Sequence, residues 1–253
     1  MDIPFRPHLL DTTHAETKAK DAVRAWALHS FTGLGVVVGL FALTAVFSGH
    51  PAAAVGWMLV AVLMDGLDGP LARSWCVAEA LPEIDGCTLD TVVDYFNCVV
   101  VPVAFLWQLR MLPASIDLLV LAVILFTSSL WYSRTDMMTA DHWFNGFPAE
   151  WQLVVPTLFL LHGSQIVNAV VLTALGISQL TSIKFVHPVR VVEQRALTLA
   201  LTTLWLVAIA ALVEVSPNLP WWGPVVLLAG PIYQIAITVR RTLAVNVTPA
   251  SPS

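Results

Sequence analysis

Charged side chains are scarce in this sequence. They make up 11% of its 253 residues, whereas hydrophobic residues make up 57%, and the mean hydropathy of +0.78 is too high for an ordinary soluble domain. The 12 Lys and Arg residues are scattered and form no basic face, so we expect no nucleic-acid partner. The composition therefore predicts a protein that is embedded in a lipid bilayer.

Cysteine is scarce as well. The chain has three cysteines, Cys76, Cys87 and Cys98, and their spacing fits neither a zinc site nor a disulfide framework. We interpret them as small apolar side chains that fill space. They therefore say little about the redox state of the compartment.

Long apolar stretches are abundant. A helix needs about 20 residues to cross about 30 Å of hydrocarbon, and eight stretches approach that length. They are residues 29–48, 53–73, 89–110, 114–133, 149–163, 165–184, 196–214 and 221–239. Only residues 162–164 separate the fifth from the sixth, so six or seven spans are also possible. We predict an all-α integral membrane protein, a bundle of about eight transmembrane helices.

The positive charges fall almost entirely on one side of such a bundle, and Arg110 is the exception. The other cations are Arg6, Lys18, Lys20, Arg24, Arg73, Arg134, Lys184, Arg190, Arg195, Arg240 and Arg241. Because short cytoplasmic loops carry the excess of Lys and Arg, we expect both termini to be cytoplasmic.

The first 28 residues differ from the spans that follow. They contain four acidic residues and no apolar core after a basic cluster, which argues against a cleaved secretory signal. Residues 12–28 are predicted to form a helix, either at the membrane interface or simply solvated. We expect three parts: an N-terminal cytoplasmic or interfacial helix in 1–28, a transmembrane domain in 29–240 and a cytoplasmic tail in 241–253.

Four aspartates interrupt the second and third spans. Asp65 and Asp68 are three residues apart and Asp90 and Asp94 four apart, so each pair shares a helix face. A charge inside a span costs about 2.5 to 3.5 kcal/mol, and both pairs lie at helix ends on the predicted cytoplasmic side, where they can converge. Two divalent cations would cancel their repulsion, and an all-oxygen site favours Mg²⁺ or Mn²⁺ over zinc. The aspartates therefore predict a two-metal centre for phosphoryl transfer.

The residues after Asp68 suit a phosphate ligand. Gly69 and Ala72 keep the acidic face lined by small side chains, and Arg73 at the helix end can bind phosphate with two parallel hydrogen bonds. The stretch reads Asp65-Gly66-Leu67-Asp68-Gly69-Pro70-Leu71-Ala72-Arg73, then twelve residues, then Gly86, Asp90 and Asp94 with three residues in each interval. This pattern resembles the signature of the CDP-alcohol phosphatidyltransferase family, D-x-x-D-G-x-x-A-R, spacer, G-x-x-x-D-x-x-x-D, and every fixed position is filled.

The resemblance implies a role for each matching residue. Asp65, Asp68 and Asp90 would bind the metal ions, and Asp94 would bind one ion and also act as the catalytic base. The portion of the substrate that contains cytidine diphosphate would be held by Gly69, Ala72, Arg73 and Gly86. The resemblance also implies a catalytic domain in residues 29–240 and, as in many family members, a homodimer.

The spacer between Arg73 and Gly86 is longer than in most of the family. It is similar to that of the bacterial phosphatidylcholine synthase branch, which joins choline to CDP-diacylglycerol and releases CMP. The chain length, the eight predicted spans and two segments, Ser133-Arg134-Thr135-Asp136 and Phe144-Asn145-Gly146-Phe147-Pro148, are also similar to that branch. The resemblance thus implies an enzyme of the bacterial inner membrane with a cytoplasmic active site.

Choline is a quaternary ammonium, which proteins hold over aromatic faces or near carboxylates. The aromatic candidates are Tyr95, Trp131, Tyr132 and Trp143, although Trp and Tyr also accumulate at membrane interfaces. Tyr95, Tyr132 and Arg134 are candidates to contact the acceptor or the lipid phosphate, and Arg134 is alternatively a topological anchor.

Other functions remain open at this point. The acceptor can instead be serine, inositol or glycerol 3-phosphate, although a phosphorylated acceptor would want more basic residues than this chain offers. Intramembrane prenyltransferases also use aspartate-rich motifs but lack the Gly-x-x-Ala-Arg continuation. A membrane cation transporter is the alternative from a different class, and it would place its aspartates near the bilayer midplane on broken helices.

Overall fold

A computed structural model of the chain describes the backbone of residues 8–74, 81 and 83–247 and the side chains of residues 20–71, 81 and 83–243. Within these ranges the chain forms eight helices and two short strands. The helices are α1 (His8–Phe47), α2 (Pro51–Ser74), α3 (Gly86–Gln108), α4 (Asp117–Tyr132), α5 (Trp151–Leu160), α6 (Gln165–Ser178), α7 (Arg195–Val213) and α8 (Gly223–Val247). The strands are β1 (Trp143–Asn145) and β2 (Lys184–Val186).

Each predicted apolar stretch coincides with a helix. Five helices are long and apolar enough to cross a membrane, namely α1 from Lys20 onward, α2, α3, α7 and α8. Helices α4, α5 and α6 have only 16, 10 and 14 residues, and at 1.5 Å per residue α5 measures about 15 Å. The helical membrane architecture is therefore confirmed, whereas a crossing at each of α4, α5 and α6 stays a prediction.

A helix extends across each of the two predicted boundaries, and the division into three parts stays a prediction. α1 runs without a break from His8 to Phe47, so the predicted N-terminal helix and first span form one helix. α8 continues to Val247, into the predicted tail, and residues 248–253 lie outside the described part of the chain. The interfacial position of residues 12–28 stays a prediction.

Helix α5 lies at the centre of the bundle. It packs against α2, α3 and α7, and Trp151, Val155 and Leu160 are fully buried. α5 ends before Ser164, whose side chain accepts a hydrogen bond from the Val167 N–H and begins α6, so the fifth and sixth stretches are separate helices. In contrast, α4 exposes Leu118, Leu119 and Phe126 by more than 60%, as expected for a face that contacts lipid.

Two loops meet at one end of the bundle. Residues 133–150 and 179–194, which we call the loop cap, pair through β1 and β2 in antiparallel register, with Phe144 opposite Phe185. Gly146 has a φ of +81°, and a Cβ there would lie 2.4 Å from the Gln179 carbonyl oxygen, so only glycine permits this approach. This sheet was not predicted, although aromatic and β-branched residues at these positions favour strands.

The cysteines have different environments. Cys98 is buried, as predicted for an apolar filler, whereas Cys87 is exposed and that prediction is wrong for it. Cys87 lies in the first turn of α3, where the chain enters the helix from a loop. Cys76 lies outside the described residues.

Candidate active site

Three aspartates meet between α2 and α3. One carboxylate oxygen from each of Asp65, Asp68 and Asp90 lies within 4.8 Å of the other two. Asp68 is buried, whereas Asp65 remains accessible, so the group is open on one side. The predicted convergence of the two helix ends is confirmed for these three side chains.

The four aspartates line a single cavity, and Thr32, Asn97 and Gln152 line it as well. We call it the aspartate cavity. Asp94 lies one turn after Asp90 on α3, and among the described residues it does not belong to the group of three within 4.8 Å. Asp94 therefore lines the cavity beside the group of three, and its role as a base, which the resemblance implies, stays a prediction.

Helix α3 changes its winding directly after Asp94. Residues Tyr95–Val100 form a π-helical segment inside the span, a feature that is frequent at functional sites. Asn97 of this segment donates a hydrogen bond to the Gly35 carbonyl oxygen of α1 over 3.0 Å. The segment therefore sets how α3 presents Asp94 relative to α1.

Helix α1 also contributes to the site. The Thr32 hydroxyl donates a hydrogen bond to Asp68 Oδ2 over 2.9 Å, which fixes the direction of that buried carboxylate. One turn earlier, His29 is 8% exposed, and its Nε2 has no hydrogen-bond partner among the described residues. A Cβ on Gly86 would lie 3.0 Å from His29 Cε1, so this glycine lets α3 begin against α1.

The predicted nucleotide-binding residues are only partly described. Gly69 follows Asp68 on α2, and Gly86 is the first residue of α3. Asp85 caps that helix by accepting hydrogen bonds from the N–H groups of Cys87 and Thr88 at 3.0 and 3.2 Å. The side chains of Ala72 and Arg73 lie outside the described part, and the contact of all four residues with the nucleotide stays a prediction.

The aromatic side chains considered for choline make other contacts, and Tyr132 among them lies against Cys98 of the cavity wall. The Tyr95 hydroxyl donates to the Leu125 carbonyl oxygen over 3.0 Å, and its ring contacts that of Tyr132. Trp131 Nε1 donates to the Asn145 carbonyl oxygen over 2.8 Å. Among the described residues that line the aspartate cavity there is none of the four candidates, Tyr95, Trp131, Tyr132 and Trp143. These rings join α3 and α4 to the loop cap instead.

Arg134 holds the loop cap together. Its Nε and Nη2 donate to the two carboxylate oxygens of Asp136 over 2.8 and 2.9 Å, and its Nη1 donates to the carbonyl oxygens of Gln179 and Thr181, both over 3.1 Å. The Arg134 guanidinium holds the pKa of Asp136 below its usual value. These bonds occupy most of the guanidinium, so the geometry favours an anchoring role over contact with a phosphate.

Three polar residues near the cavity were not among the predicted site residues. Gln152 lines the cavity and is 7% exposed. Glu150, just before α5, is half-buried; burial raises the pKa of its carboxyl to about 7, and the negative charge of Asp65 adds to the shift. Arg190, in the loop cap, acts electrostatically on Asp65 and Asp90. Polar residues at the start of an apolar stretch were the available signal for Glu150 and Gln152.

The donor atoms fit a hard divalent cation. The group of three offers carboxylate oxygens without His or Cys, which is the ligand chemistry of Mg²⁺ and Mn²⁺. One oxygen from each carboxylate lies within 4.8 Å of the other two, so the three side chains together could hold a metal ion.

Comparison with known proteins agrees with this geometry. The family model described as CDP-alcohol phosphatidyltransferase matches residues 27–182, which is more than half of the chain and includes every residue of the aspartate cavity. The sequence is 38% identical to a phosphatidylcholine synthase of Pseudomonas aeruginosa over 194 residues, which cover 77% of this chain and 82% of the relative.

Two further relatives extend the comparison. A phosphatidylcholine synthase of Mesorhizobium japonicum is 36% identical over 182 residues, 72% of this chain and 68% of the relative. One of Agrobacterium fabrum is 31% identical over 215 residues, 85% of this chain and 89% of the relative. The predicted resemblance is confirmed, and the cation-transporter alternative loses its support. The chain belongs to the CDP-alcohol phosphatidyltransferase family and is an enzyme of that class.

Proposed function

We propose that this enzyme transfers the phosphatidyl group of CDP-diacylglycerol to the hydroxyl of choline, which gives phosphatidylcholine and CMP. The observation that carries the proposal is the convergence of Asp65, Asp68 and Asp90 in a chain whose relatives over most of its length are phosphatidylcholine synthases. Serine, inositol and glycerol 3-phosphate are the competing acceptors.

The aspartates have separate tasks in the proposed reaction. Asp65, Asp68 and Asp90 would hold Mg²⁺ or Mn²⁺, and Asp94 would complete the ligand set of a second ion. When bound, the ions neutralise charge on the diphosphate and on the departing CMP. The support is the all-oxygen donor set and the position of Asp94 in the same cavity.

The donor lipid would be bound at the ends of α2 and α3. Gly69, Ala72, Arg73 and Gly86 would hold the cytidine diphosphate portion. The support is that Gly69 directly follows Asp68 on α2, and that Gly86 begins α3 four residues before Asp90.

Asp94 would act on the acceptor. It takes the proton from the choline hydroxyl while the choline oxygen forms a bond to the phosphorus that carries diacylglycerol. The bond between this phosphorus and the CMP oxygen breaks, and the electron pair leaves with CMP. Asp94 then releases its proton to solvent. The accessible side of the group, next to Asp65, leaves room for the acceptor.

We place the site at the cytoplasmic face of the bacterial inner membrane. The aspartates and the loop cap are at the same end of the bundle, because Gln152, in the first turn of α5 directly after the loop cap, lines the aspartate cavity. That end also carries Arg134, Lys184 and the last turns of α8. The excess of positive charge at this end favours a cytoplasmic position, where CMP is released into water.

An acceptor panel tests the proposal. Purified enzyme in detergent receives CDP-diacylglycerol, Mn²⁺ or Mg²⁺, and separately labelled choline, serine, inositol or glycerol 3-phosphate, and CMP release and lipid product are followed. We expect phosphatidylcholine with choline alone, no product after chelation of the metal, and a loss of at least about 100-fold in the Asp94→Asn variant, as for removal of a general base.

The outcomes separate the alternatives. Turnover with another acceptor would keep the aspartate chemistry and refute the choline assignment. Full activity of Asp94→Asn with choline would refute Asp94 as the base while leaving the overall reaction intact.

A further inference from the structure

Helices α7 and α8 follow the part of the chain that the family model matches. The last turns of α8 lie against the loop cap, where the Lys184 N–H donates a hydrogen bond to Thr242 Oγ1 over 3.2 Å. Ile237 of α8 packs with Trp143 of β1 and Val186 of β2 in a small buried cluster. Helix α8 therefore contacts both strands of the cap.

Arg241 of α8 makes two contacts with the cap. Its Nη2 forms an ion pair with Asp141 Oδ2, and its guanidinium carbon lies 5.5 Å from the centre of the Trp143 ring, within the range of a cation–π contact. The other carboxylate oxygen of Asp141 accepts a hydrogen bond from Thr139 Oγ1 over 2.7 Å, and Trp143 is 2% exposed. Both partners of Arg241 are thus held within the cap.

Two non-glycine residues of the cap have a left-handed backbone conformation. His142 has a φ of +64° and Ala149 a φ of +57°, a region that is unfavourable for residues with a Cβ. His142 lies between Asp141 and Trp143, the two residues that Arg241 contacts. Such conformations persist only where the surrounding contacts hold them, so the cap depends on contacts of this kind.

The cap leads directly into one wall of the aspartate cavity. Helix α5 begins at Trp151, immediately after the cap, and Gln152 in its first turn lines the cavity. Phe147 of the cap packs on the Trp151 ring, with 4.8 Å between the ring centres. The position of the cap therefore sets the position of the α5 wall relative to the aspartates of α2 and α3.

We infer that Arg241 is a positioning residue for the reaction: by binding Asp141 and Trp143, it holds the loop cap, and with it the start of α5, in place beside the aspartate cavity. Among the described residues that line this cavity, none belongs to α8, so Arg241 acts through the cap. The inference rests on the proposed function only for its assay, which follows CMP release.

Arg241→Gln tests the inference, because it removes the charge and keeps a polar side chain. We expect kcat for CMP release to fall by about 10–100-fold, as for small displacements of positioning groups. The affinity for Mn²⁺, measured by electron paramagnetic resonance, should not change, because α2 and α3 carry the ligands. Arg241→Lys keeps the charge and should recover most of the activity. Arg240→Gln is the matched control, since Arg240 is exposed on the same turn, and it should behave as wild type.

A double-mutant cycle with Asp141→Asn tests the contact itself. If the two residues act as a pair, the double variant should lose no more activity than Arg241→Gln alone. Losses that multiply would overturn the inference. Wild-type kcat in Arg241→Gln, or a fall in Mn²⁺ affinity that parallels the fall in kcat, would overturn it as well.

Spin labels report on the cap without turnover. Labels are attached at Ala140→Cys in the cap and Ser115→Cys in the opposite loop, both exposed positions, in a chain whose native cysteines are changed to alanine. We expect a broader distribution of label distances in Arg241→Gln than in the parent chain, and an equal distribution would overturn the hold on the cap. CMP release with no acceptor would overturn the proposed function, whereas these distances would still decide the role of Arg241.

Discussion

The hydroxyl of Thr32 holds the one buried aspartate of the site. Thr32 Oγ1 lies 2.9 Å from Asp68 Oδ2, and Asp68 is 8% exposed. Partners that orient a metal ligand commonly change metal affinity by about 10–100-fold. Thr32→Val keeps the shape of the side chain and removes the donor, so we expect Mn²⁺ binding to weaken by about that factor in a titration followed by electron paramagnetic resonance.

Thr32→Ser is the control, because it keeps the hydroxyl and loses only a methyl group. It should bind Mn²⁺ about as well as the wild type. Equal Mn²⁺ affinity in Thr32→Val and the wild type would show that this hydrogen bond does not prepare Asp68 for metal.

The position of a residue in the site could be predicted from the sequence where the geometry of a single helix determines it. Asp65 and Asp68 share a face because they are three residues apart on one helix, which the spacing alone shows. Thr32 is 36 residues from Asp68, and Gln152 comes from a helix still further along the chain, so only the tertiary packing shows that they reach the same cavity. The same limit applies to Arg134, whose partners in residues 179–181 lie in a different loop.

Helices α1 and α3 can pack closely together because residue 39 is glycine. A Cβ there would lie 2.2 Å from Asn97 Oδ1 and 2.6 Å from the Phe96 ring, and these residues belong to the π-helical segment after Asp94. Adding atoms to a packed contact costs about 1–3 kcal/mol. We expect Gly39→Ala to lower the free energy of unfolding by about that amount and to reduce activity, because the aspartates of α3 would shift.

Thermal unfolding in detergent measures the loss of stability, and Gly33→Ala is its matched control. Gly33 lies on the same helix, and a Cβ there meets nothing within 4 Å. Gly33→Ala should unfold at the wild-type temperature or slightly above it, since alanine favours the helix. Equal destabilisation of both variants would contradict a specific contact at Gly39.

Helices were easier to predict than their lengths or irregularities. The apolar stretches located all eight helices of the described chain, but the fifth was predicted over 149–163 and forms only Trp151–Leu160. An apolar residue looks the same in sequence whether it faces lipid or protein, so hydropathy could not show that α5 is central and short. Hydropathy also does not distinguish a π-helical turn from an α-helical one, so the segment Tyr95–Val100 was not predicted.

The whole molecule has two unlike ends. One end contains the loop cap, where Arg134 joins the two loops and Lys184 N–H donates to Thr242 of α8. At the other end, Gln165 donates to the Arg110 carbonyl oxygen. The distribution of Lys and Arg predicted which loops share an end, because positive charge is counted loop by loop. It did not predict that two of the loops pair as strands, which requires contacts about 40 residues apart.

Chemical labelling can test which end faces the cytoplasm. Ala140 of the loop cap and Ser115 of the opposite loop are both exposed, and each is replaced by cysteine in a chain whose native cysteines are changed to alanine. We expect a membrane-impermeant maleimide to label Ala140→Cys in inside-out vesicles and Ser115→Cys in right-side-out vesicles, because the cation-rich end stays cytoplasmic. Labelling of both positions from one side would contradict the separation of the two ends by the membrane. The reverse pattern would place the aspartates on the outer face, away from cytoplasmic CMP, and would refute the proposed orientation while leaving the arrangement of the helices intact.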